Sequence, residues 1–253
     1  MNFLRHHPFN GVYYAIYSSV HGHDLCYAMS KYPDRDLTYQ GVLHSNGNIG
    51  ITNNPTYYYA NNHGSLVQIK DDYYIFGHRH TNYTQYQRQG VAERIHMNSD
   101  GTFTQAEMTS CGLNPTPLSS KGTYPSYIAC VLMSNDGACK EDVTIDKEAH
   151  PAITQDEQRE SFITNLQDGC VIGYKYFDIQ NVHTLSLCVK ASDDCRILVK
   201  NAIDGESCGS IAISACKKWK NFEGTIVMEN GVHPLYFVIC GNVRVQLKSF
   251  TLD

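Results

Sequence analysis

Short runs of alternating apolar and polar residues dominate the first half of the chain. Such runs include "GVYYAIYSSV", "LCYAMSKYPDRDLTYQGVL", "SLVQIKDDYYIFGH" and "GVAERIHMNSDGTFTQAEM". Turn-forming pairs bound or divide them: Asn10-Gly11, Pro33-Asp34, Asp71-Asp72 and Asp100-Gly101. A period of two between turn residues predicts β-strands, and no helical period of 3.6 appears in this half. The pattern therefore indicates a series of antiparallel hairpins.

Two of these strands are similar to one another. "NGVYYAIY" and "DDYYIFGH" each place a Tyr-Tyr pair directly after a turn, and the pairs begin at Tyr13 and Tyr73. A hairpin that recurs at such an interval is typical of β-propeller blades. The alternative is a chance likeness between two tyrosine-rich strands. Closed propellers use about four to eight blades, whereas residues 1–115 provide room for about two, so this region is predicted to be the last part of a propeller.

The second half has a different organisation. Residues 116–152 begin with the Pro/Gly/Ser-rich stretch "TPLSSKGTYP" and are predicted to form a linker and one connecting strand. Residues 153–253 contain many short strand-like runs, among them "CVIGYKYFDI", "HTLSLCVKA" and "HPLYFVICG". Short strands at close, regular spacing are typical of an antiparallel β-sandwich or jelly roll. The predicted fold class is therefore all-β, with propeller blades followed by a sandwich.

Charge excludes one class of partner. The 253 residues carry 20 Lys and Arg against 25 Asp and Glu, a formal net charge of −5. Neither half has the basic excess that binding to a phosphate backbone requires, so nucleic acid is not an expected partner. The 18 tyrosines suit strands and sites that bind polyhydroxylated ligands.

Cysteine usage and hydropathy bear on the cellular location. The ten cysteines are scattered without a Cys-x-x-Cys pair, and many lie in apolar, strand-like surroundings. This pattern favours buried thiols in a reducing compartment over a disulfide framework. Neither a signal-peptide-like N-terminus nor an apolar run of about 20 residues is present. The chain is therefore expected to be cytoplasmic and not embedded in a membrane.

The stretch from residue 61 to residue 90, "NNHGSLVQIKDDYYIFGHRHTNYTQYQRQG", combines histidines, arginines and tyrosines on two strands. Such side chains are costly to bury unless they line a polar pocket. Together with "VAERI", this stretch closely resembles the last blade of glycoside hydrolase family 43, and "NGVYYAIYSSVHGHDLCYAMSKYPDRD" resembles the preceding blade. "DGCVIGYKYFDIQNVHTLSLCVKA" and later segments resemble, more loosely, a family 6 carbohydrate-binding module.

The resemblance implies a five-bladed propeller that removes arabinofuranosyl or xylosyl units from plant polysaccharides, so arabinose- or xylose-containing glycans are the expected partners. His63 matches a histidine that faces the propeller axis and helps to hold a structural Ca²⁺ or its water shell; a hydrogen-bonded core histidine is the alternative. Arg88 matches an arginine of the sugar pocket, where a guanidinium binds hydroxyls or orients a carboxylate; a surface salt bridge is the alternative. His78 falls near the same rim and is a third candidate for substrate binding.

A different metal site is also conceivable. His78 and His80 lie two residues apart on a strand and so face the same side, where His63 could complete a three-histidine site of the zinc type. The sequence supplies no obvious hydrogen-bond acceptor that would orient the three histidine rings. The three-histidine site is therefore the less favoured alternative.

The catalytic carboxylates of the family are expected to be missing from this chain. Inverting glycosidases need one carboxyl group as acid and another as base. The resemblance puts the acid just before the Asn10-Gly11 strand, where no acidic residue stands, because Asp24 is the first carboxylate. The chain is thus predicted to have no catalytic residue and to be inactive alone, with an upstream polypeptide supplying the missing blades. The alternative is a non-catalytic carbohydrate-binding protein, in which an aromatic ring of the sandwich would stack on sugar: Tyr174, Tyr176 or Tyr236. Trp219 falls at a strand position that is usually core, so it is not an evident stacking platform.

Overall fold

A computed structural model describes residues 3–7, 11–19, 24–47, 55–58, 62–138 and 146–253. The described residues form two compact units. Unit 1 contains the described residues up to His80 and Thr84–Met108. Unit 2 contains Thr81–Tyr83 and the described residues 109–138 and 146–253. Strands form nearly all of the regular structure, which confirms the all-β prediction.

Unit 1 contains two antiparallel sheets. The first is ordered β1-β2-β3-β4 and the second β5-β6-β7. Their bounds are β1 Phe3–His7, β2 Val12–Ser18, β3 Asp24–Ser30, β4 Thr38–Ser45, β5 Ser65–Ile69, β6 Asp72–Thr81 and β7 Thr84–Ile95. Turns occur at or next to Pro33-Asp34, Asp71-Asp72 and Asp100-Gly101, as predicted, whereas Asn10 lies outside the described residues. Two small sequential sheets of this kind are the blades expected from the sequence.

The tyrosine repeat has a structural basis in unit 1. Both Tyr-Tyr pairs lie near the start of the second strand of their sheet, in β2 and β6. Tyr14 and Tyr73 each pack edge-on against Phe103, with ring centroids 5.8 and 5.4 Å apart. Apolar residues of both sheets complete one shared core: Ile16, Leu25, Tyr27, Leu43, Leu66, Ile75, Ile95 and Ala106. Tyr14 is the second tyrosine of its pair and Tyr73 is the first, so the shared contact with Phe103 comes from positions that are one residue out of step with the sequence repeat.

Tyr27 also stabilises this core through its hydroxyl group. Its oxygen accepts a hydrogen bond of 2.8 Å from the backbone N–H of Phe103, and its side chain is buried. A Tyr27→Phe change leaves that N–H buried without this acceptor, so we expect the free energy of unfolding to fall by about 1.5 kcal/mol. Chemical denaturation measures the loss. Tyr86→Phe, at a ring that is 85% exposed, is the matched control, and equal stability of the two variants would contradict the prediction.

Unit 2 is a sandwich of two sheets of six strands each, in which one pair of strands is parallel and the others are antiparallel. The main order of one sheet is β10-β13-β18-β15-β16, with β8 paired to β13; that of the other is β11-β12-β19-β14-β17, with β9 paired to β19. The bounds are β8 Leu118–Ser119, β9 Gly122–Pro125, β10 Val131–Met133, β11 Ala152–Gln155, β12 Ser161–Leu166, β13 Val171–Ile179, β14 Thr184–Ala191, β15 Cys195–Lys200, β16 Ser207–Ile213, β17 Cys216–Thr225, β18 Gly231–Cys240 and β19 Val245–Leu252. A single turn of 3-10 helix, Ser126–Ile128, separates β9 from β10. The predicted linker, 116–152, thus contains three short strands that join the sandwich.

Aromatic rings fill the space between the two sheets. Phe250 of one sheet packs against Tyr174 and Phe237 of the other, at centroid distances of 4.5 and 5.4 Å. Tyr174 is fully buried and Tyr236 is 7% exposed. Neither ring can therefore offer a face to a sugar, which removes two of the stacking positions that the sequence suggested.

The nine described cysteines form no disulfide bond, and Cys139 lies outside the described residues. Burial raises the pKa of several of these thiols above the ordinary value, and that of Cys195 to about 11. Such thiols remain protonated and are poor nucleophiles at neutral pH.

None of the helices among the described residues has the length and hydropathy that crossing a membrane would demand.

Candidate functional site

The polar stretch singled out from the sequence contains the hairpin β6–β7 of the second blade. Its two-residue turn is formed by Asn82 and Tyr83, whose φ angles are +58° and +54°. Two successive left-handed residues are the geometry of a type I′ turn, which matches the right-handed twist of a two-stranded ribbon. The tight turn fixes the register of the strands and so determines which polar side chains meet.

The hairpin brings His78 and Arg88 together, and the segment before β5 adds His63. Nη1 of Arg88 lies 2.9 Å from Nε2 of His78. The rings of His78 and His63 stack with centroids 5.4 Å apart and an angle of 25° between their planes. Nε2 of His78 is 3.3 Å from Nδ1 of His63. All three predicted site residues therefore form one cluster, which includes the exposed guanidinium of Arg88; their role in binding substrate stays a prediction.

Both histidines of the cluster are neutral at neutral pH. Burial, followed by the positive charge of Arg88 and the neighbouring ring of His63, lowers the pKa of His78 to about 4. Burial also lowers the pKa of His63, and Arg88 contributes. The cluster thus carries a single positive charge, beside imidazole nitrogens that can donate or accept hydrogen bonds. This combination suits hydroxyl groups or a carboxylate and provides no general acid for neutral pH.

A buried polar layer supports the same hairpin from its other face. Arg79 is 3% exposed and its Nε donates a hydrogen bond of 2.9 Å to Oε1 of Gln89 on β7. Its guanidinium carbon lies 4.5 Å from the ring centroid of Tyr57, whose hydroxyl donates to the carbonyl of His80. A guanidinium stacked on an aromatic ring is stabilised by the ring quadrupole. Arg79 therefore fixes strands β6 and β7 behind the exposed cluster.

His44 and Asn62 complete this layer, and sequence reasoning missed both. His44 is 1% exposed and Asn62 is fully buried. Nδ2 of Asn62 donates a hydrogen bond of 3.0 Å to Nδ1 of His44. Burial and the charge of Arg79 lower the pKa of His44 to about 4. The only signal in the sequence was a histidine at the end of a predicted strand, "GVLHS", and its burial depends on contacts that are distant along the chain.

The histidine cluster fits a directly bound metal ion poorly. Calcium takes oxygen ligands, whereas His63 offers nitrogen and lies beside the positively charged Arg88. Within the described part of the chain, no group of three His, Cys, Asp or Glu side chains is placed to hold a metal. His80 instead packs its ring against Tyr58, with centroids 5.2 Å apart. A role for His63 in the water shell of a calcium ion remains a prediction.

Comparisons with known proteins assign the fold and its relationship. No protein-family model matches the chain. A xylosidase/arabinosidase from Thermoclostridium stercorarium is 41% identical over 253 residues, which cover 95% of this chain and 53% of the relative. A family 43 arabinoxylan arabinofuranohydrolase from Bacillus subtilis, solved with cellotetraose, covers the whole chain at 17% identity with a TM-score of 0.53. The chain is therefore a homologue of a xylosidase/arabinosidase over 95% of its own length, and it shares its fold with a family 43 structure.

Coverage limits what the homology establishes. The chain spans about half the length of the curated xylosidase/arabinosidase and 53% of the family 43 structure. A carbohydrate-binding module of Clostridium stercorarium, solved with cellobiose, covers 55% of the chain at 16% identity and a TM-score of 0.44. The family 43 fold therefore accounts for the architecture, and the assignment of unit 2 as a β-sandwich rests on the order of its strands.

The single tryptophan is not buried in the core of unit 2. Trp219 is half-buried on β17, at one edge of its sheet. The ring of Phe162 packs on it edge-on, with centroids 5.4 Å apart. Nζ of Lys190 lies 4.4 Å from its ring centroid, and Nζ of Lys248 lies 5.8 Å away. Two cations thus cover the ring, in contrast to the core position that the sequence suggested.

Proposed function

We propose that this protein acts in the hydrolysis of O-glycosyl bonds in arabinose- or xylose-containing polysaccharides, and that the cluster of His63, His78 and Arg88 forms one wall of the sugar site. The single observation that carries the proposal is 41% identity, over 95% of the chain, to a xylosidase/arabinosidase. The geometry of the cluster supports it, because a fixed guanidinium next to neutral imidazoles can bind several hydroxyls of one pentose at once.

The 253 residues by themselves are proposed to lack the hydrolytic step. Inversion at the anomeric carbon needs a carboxylic acid on the leaving oxygen and a carboxylate on the attacking water, roughly 6.5–9.5 Å apart. The neutral histidines and the guanidinium of the cluster cannot replace that pair at neutral pH. The proposal therefore assigns the two carboxylates to sequence beyond these residues, in the same or a second polypeptide, in keeping with the greater length of the relative.

Two measurements test this proposal on the 253-residue chain. We expect no release of 4-nitrophenol from 4-nitrophenyl arabinofuranoside or xyloside above the enzyme-free rate, because the acid and base are missing. We also expect saturable binding of xylo-oligosaccharides or arabino-oligosaccharides by calorimetry. Arg88→Gln should weaken that binding about tenfold, since it removes charge-assisted hydrogen bonds.

Arg35→Gln is the control, because Arg35 is exposed, pairs with its neighbour Asp34 and belongs to the other blade of unit 1. Enzyme-dependent release of 4-nitrophenol would refute the proposed inactivity. Undiminished sugar binding in the folded Arg88→Gln variant would refute the role of the cluster. It would instead favour a non-catalytic carbohydrate-binding protein that uses unit 2.

A further inference from the structure

A cavity of about 600 Å³ opens on unit 2 at one end of the sheet that contains β12, β14, β17 and β19. Its volume lies in the usual range for small-ligand sites, about 300–1,000 Å³. All of its lining residues belong to this one unit. The cavity lies outside the histidine cluster of unit 1, and the proposed hydrolysis makes no use of it.

The lining of this cavity is cationic. Four of its residues are basic and none is acidic: Lys147, Lys190, Lys217 and Arg244. The other polar groups around it are neutral hydroxyls and amides, including those of Tyr83 and Gln246. Burial raises the pKa of Tyr83 to about 12, so this phenol adds no negative charge. In a chain with a net charge of −5, such a concentration of positive charge in one concave site favours an anionic ligand.

Arg244 is held in place at this cavity before any ligand arrives. Its Nη1 donates a hydrogen bond of 2.8 Å to Oδ1 of Asn165, and its Nη2 lies 2.8 Å from a carboxylate oxygen of Glu148. Its backbone and that of Ser192 are also joined, through the Ser192 N–H to the Arg244 carbonyl and the Arg244 N–H to the Ser192 hydroxyl. A guanidinium with fixed geometry loses little side-chain entropy when it binds a planar carboxylate.

Asn165 organises the floor of the cavity. It is 8% exposed and adopts a left-handed backbone conformation with φ of +57°. Its Nδ2 donates to the carbonyl oxygens of Lys147 and His150, at 2.8 and 3.0 Å. The hydroxyl of Tyr83 donates to the same carbonyl of His150, at 3.0 Å. The buried amide of Asn165 thus connects the backbone at Lys147 to the guanidinium of Arg244. These hydrogen bonds hold the site in place before a ligand binds.

We propose that this cavity binds a carboxylate-bearing saccharide, namely a uronic acid residue of a glycan, through Arg244, Lys147 and Lys217. The cavity supplies the preference for an anion, whereas the choice of a saccharide rests on the proposed function in glycan hydrolysis. Lysines and a fixed guanidinium recognise the carboxylate, and the surrounding hydroxyl and amide groups are suited to sugar hydroxyls. Glu148 and Asn165 already bind the two terminal nitrogens of Arg244, so the lysines of the lining are expected to provide most of the attraction for the ligand carboxylate.

Adjacent lysines provide a matched test of this assignment. Lys217 lines the cavity, whereas Lys218 is exposed on the same strand β17 and does not line it. Successive side chains of a strand point to opposite faces, so Lys217→Glu and Lys218→Glu make the same change of charge on the two sides. Calorimetry on the full 253-residue chain would compare D-glucuronate and D-galacturonate with the neutral sugars D-glucose and D-xylose, and with inorganic phosphate.

We expect saturable binding of a uronate that is stronger than that of the neutral sugars and weakens as salt is added. Lys217→Glu should weaken uronate binding about tenfold, because an attraction is replaced by a repulsion, and Lys218→Glu should leave it within about twofold. Equal binding of glucose and glucuronate, equal effects of the two variants, or no uronate binding by the folded chain would overturn the proposal. Binding of phosphate without binding of uronate would overturn the assignment to a saccharide.

The test of this cavity is independent of the test of the histidine cluster in unit 1. Arg88→Gln changes unit 1 only, so it should leave uronate binding unaltered, whereas Lys217→Glu should leave pentose binding by the cluster unaltered. Loss of both activities in either variant, with the fold retained by circular dichroism, would contradict the assignment of two separate sites.

Discussion

A Gly64→Ala variant is expected to lose about 3 kcal/mol of its free energy of unfolding and to lose the contact between His63 and His78. A Cβ atom at Gly64 would lie 1.7 Å from the backbone carbonyl oxygen of Phe76. Phe76 is on β6, opposite Ser65 of β5. Backbone cannot rotate away as a flexible side chain can, so the two strands must separate, and overpacking of this kind costs about 1–3 kcal/mol and occasionally more.

Gly90→Ala is the matched control for this variant. Gly90 lies on β7 in the same sheet, and a Cβ atom there meets nothing within 4 Å. Replacing a strand glycine by alanine removes freedom of the unfolded chain, so stability should be unchanged or rise by about 0.5 kcal/mol. Chemical denaturation would give the two free energies, and hydrogen exchange of β5 and β6 would locate the loss. Equal stability of the two variants would show that the close approach of β5 and β6 at Gly64 is not required.

His44 is expected to make the chain about 1.5 kcal/mol less stable at pH 5 than at pH 6.5, in addition to any contribution of His78, whose pKa is also lowered. The pKa of His44 is about 4 in the folded chain, against an ordinary value of 6.5, since burial and Arg79 oppose a charge on the ring. Between these two values the unfolded chain binds the proton and the folded chain does not. The free energy of unfolding therefore rises with pH in this window, and the contribution is complete above pH 6.5 and lost as the pH falls toward 4.

His44→Gln isolates this effect, because glutamine can accept the hydrogen bond from Asn62 and does not titrate. The variant should be less stable than the parent chain at pH 7, and its stability should depend less steeply on pH between 6.5 and 5. His183→Gln, at an exposed position of unit 2, is the matched control. Unfolding free energies measured by urea denaturation at several pH values give the slopes. Identical slopes for the parent and His44→Gln would show that His44 accepts its proton in the folded chain as readily as in the unfolded one.

The strands of both units were readable from sequence because each is a local pattern. In β14, "TLSLCVKA", buried and less buried residues alternate without exception, as the period of two required. The turn pair Asp71-Asp72 and the turn Asp100-Gly101 also marked real reversals of the chain. The strand β12, "SFITNL", was missed, because its burial pattern does not alternate. In the sheet it lies between β11 and β19, so pairing with those strands, rather than a period of two, defines it as a strand.

The amino-acid sequence by itself determined the all-β class and the sandwich that follows the two blades. Through a family resemblance it also singled out His63, His78 and Arg88 as candidates, whose role stays a prediction. It could not indicate which other polar residues would be buried with the blade, or that Arg244 and three lysines would surround one cavity. His44 and Asn62 are 18 positions apart and meet through one hydrogen bond, and Arg244 reaches Glu148 across 96 positions. Periodicity is a property of neighbouring residues, whereas these contacts depend on sheet register and burial, which only the tertiary structure decides.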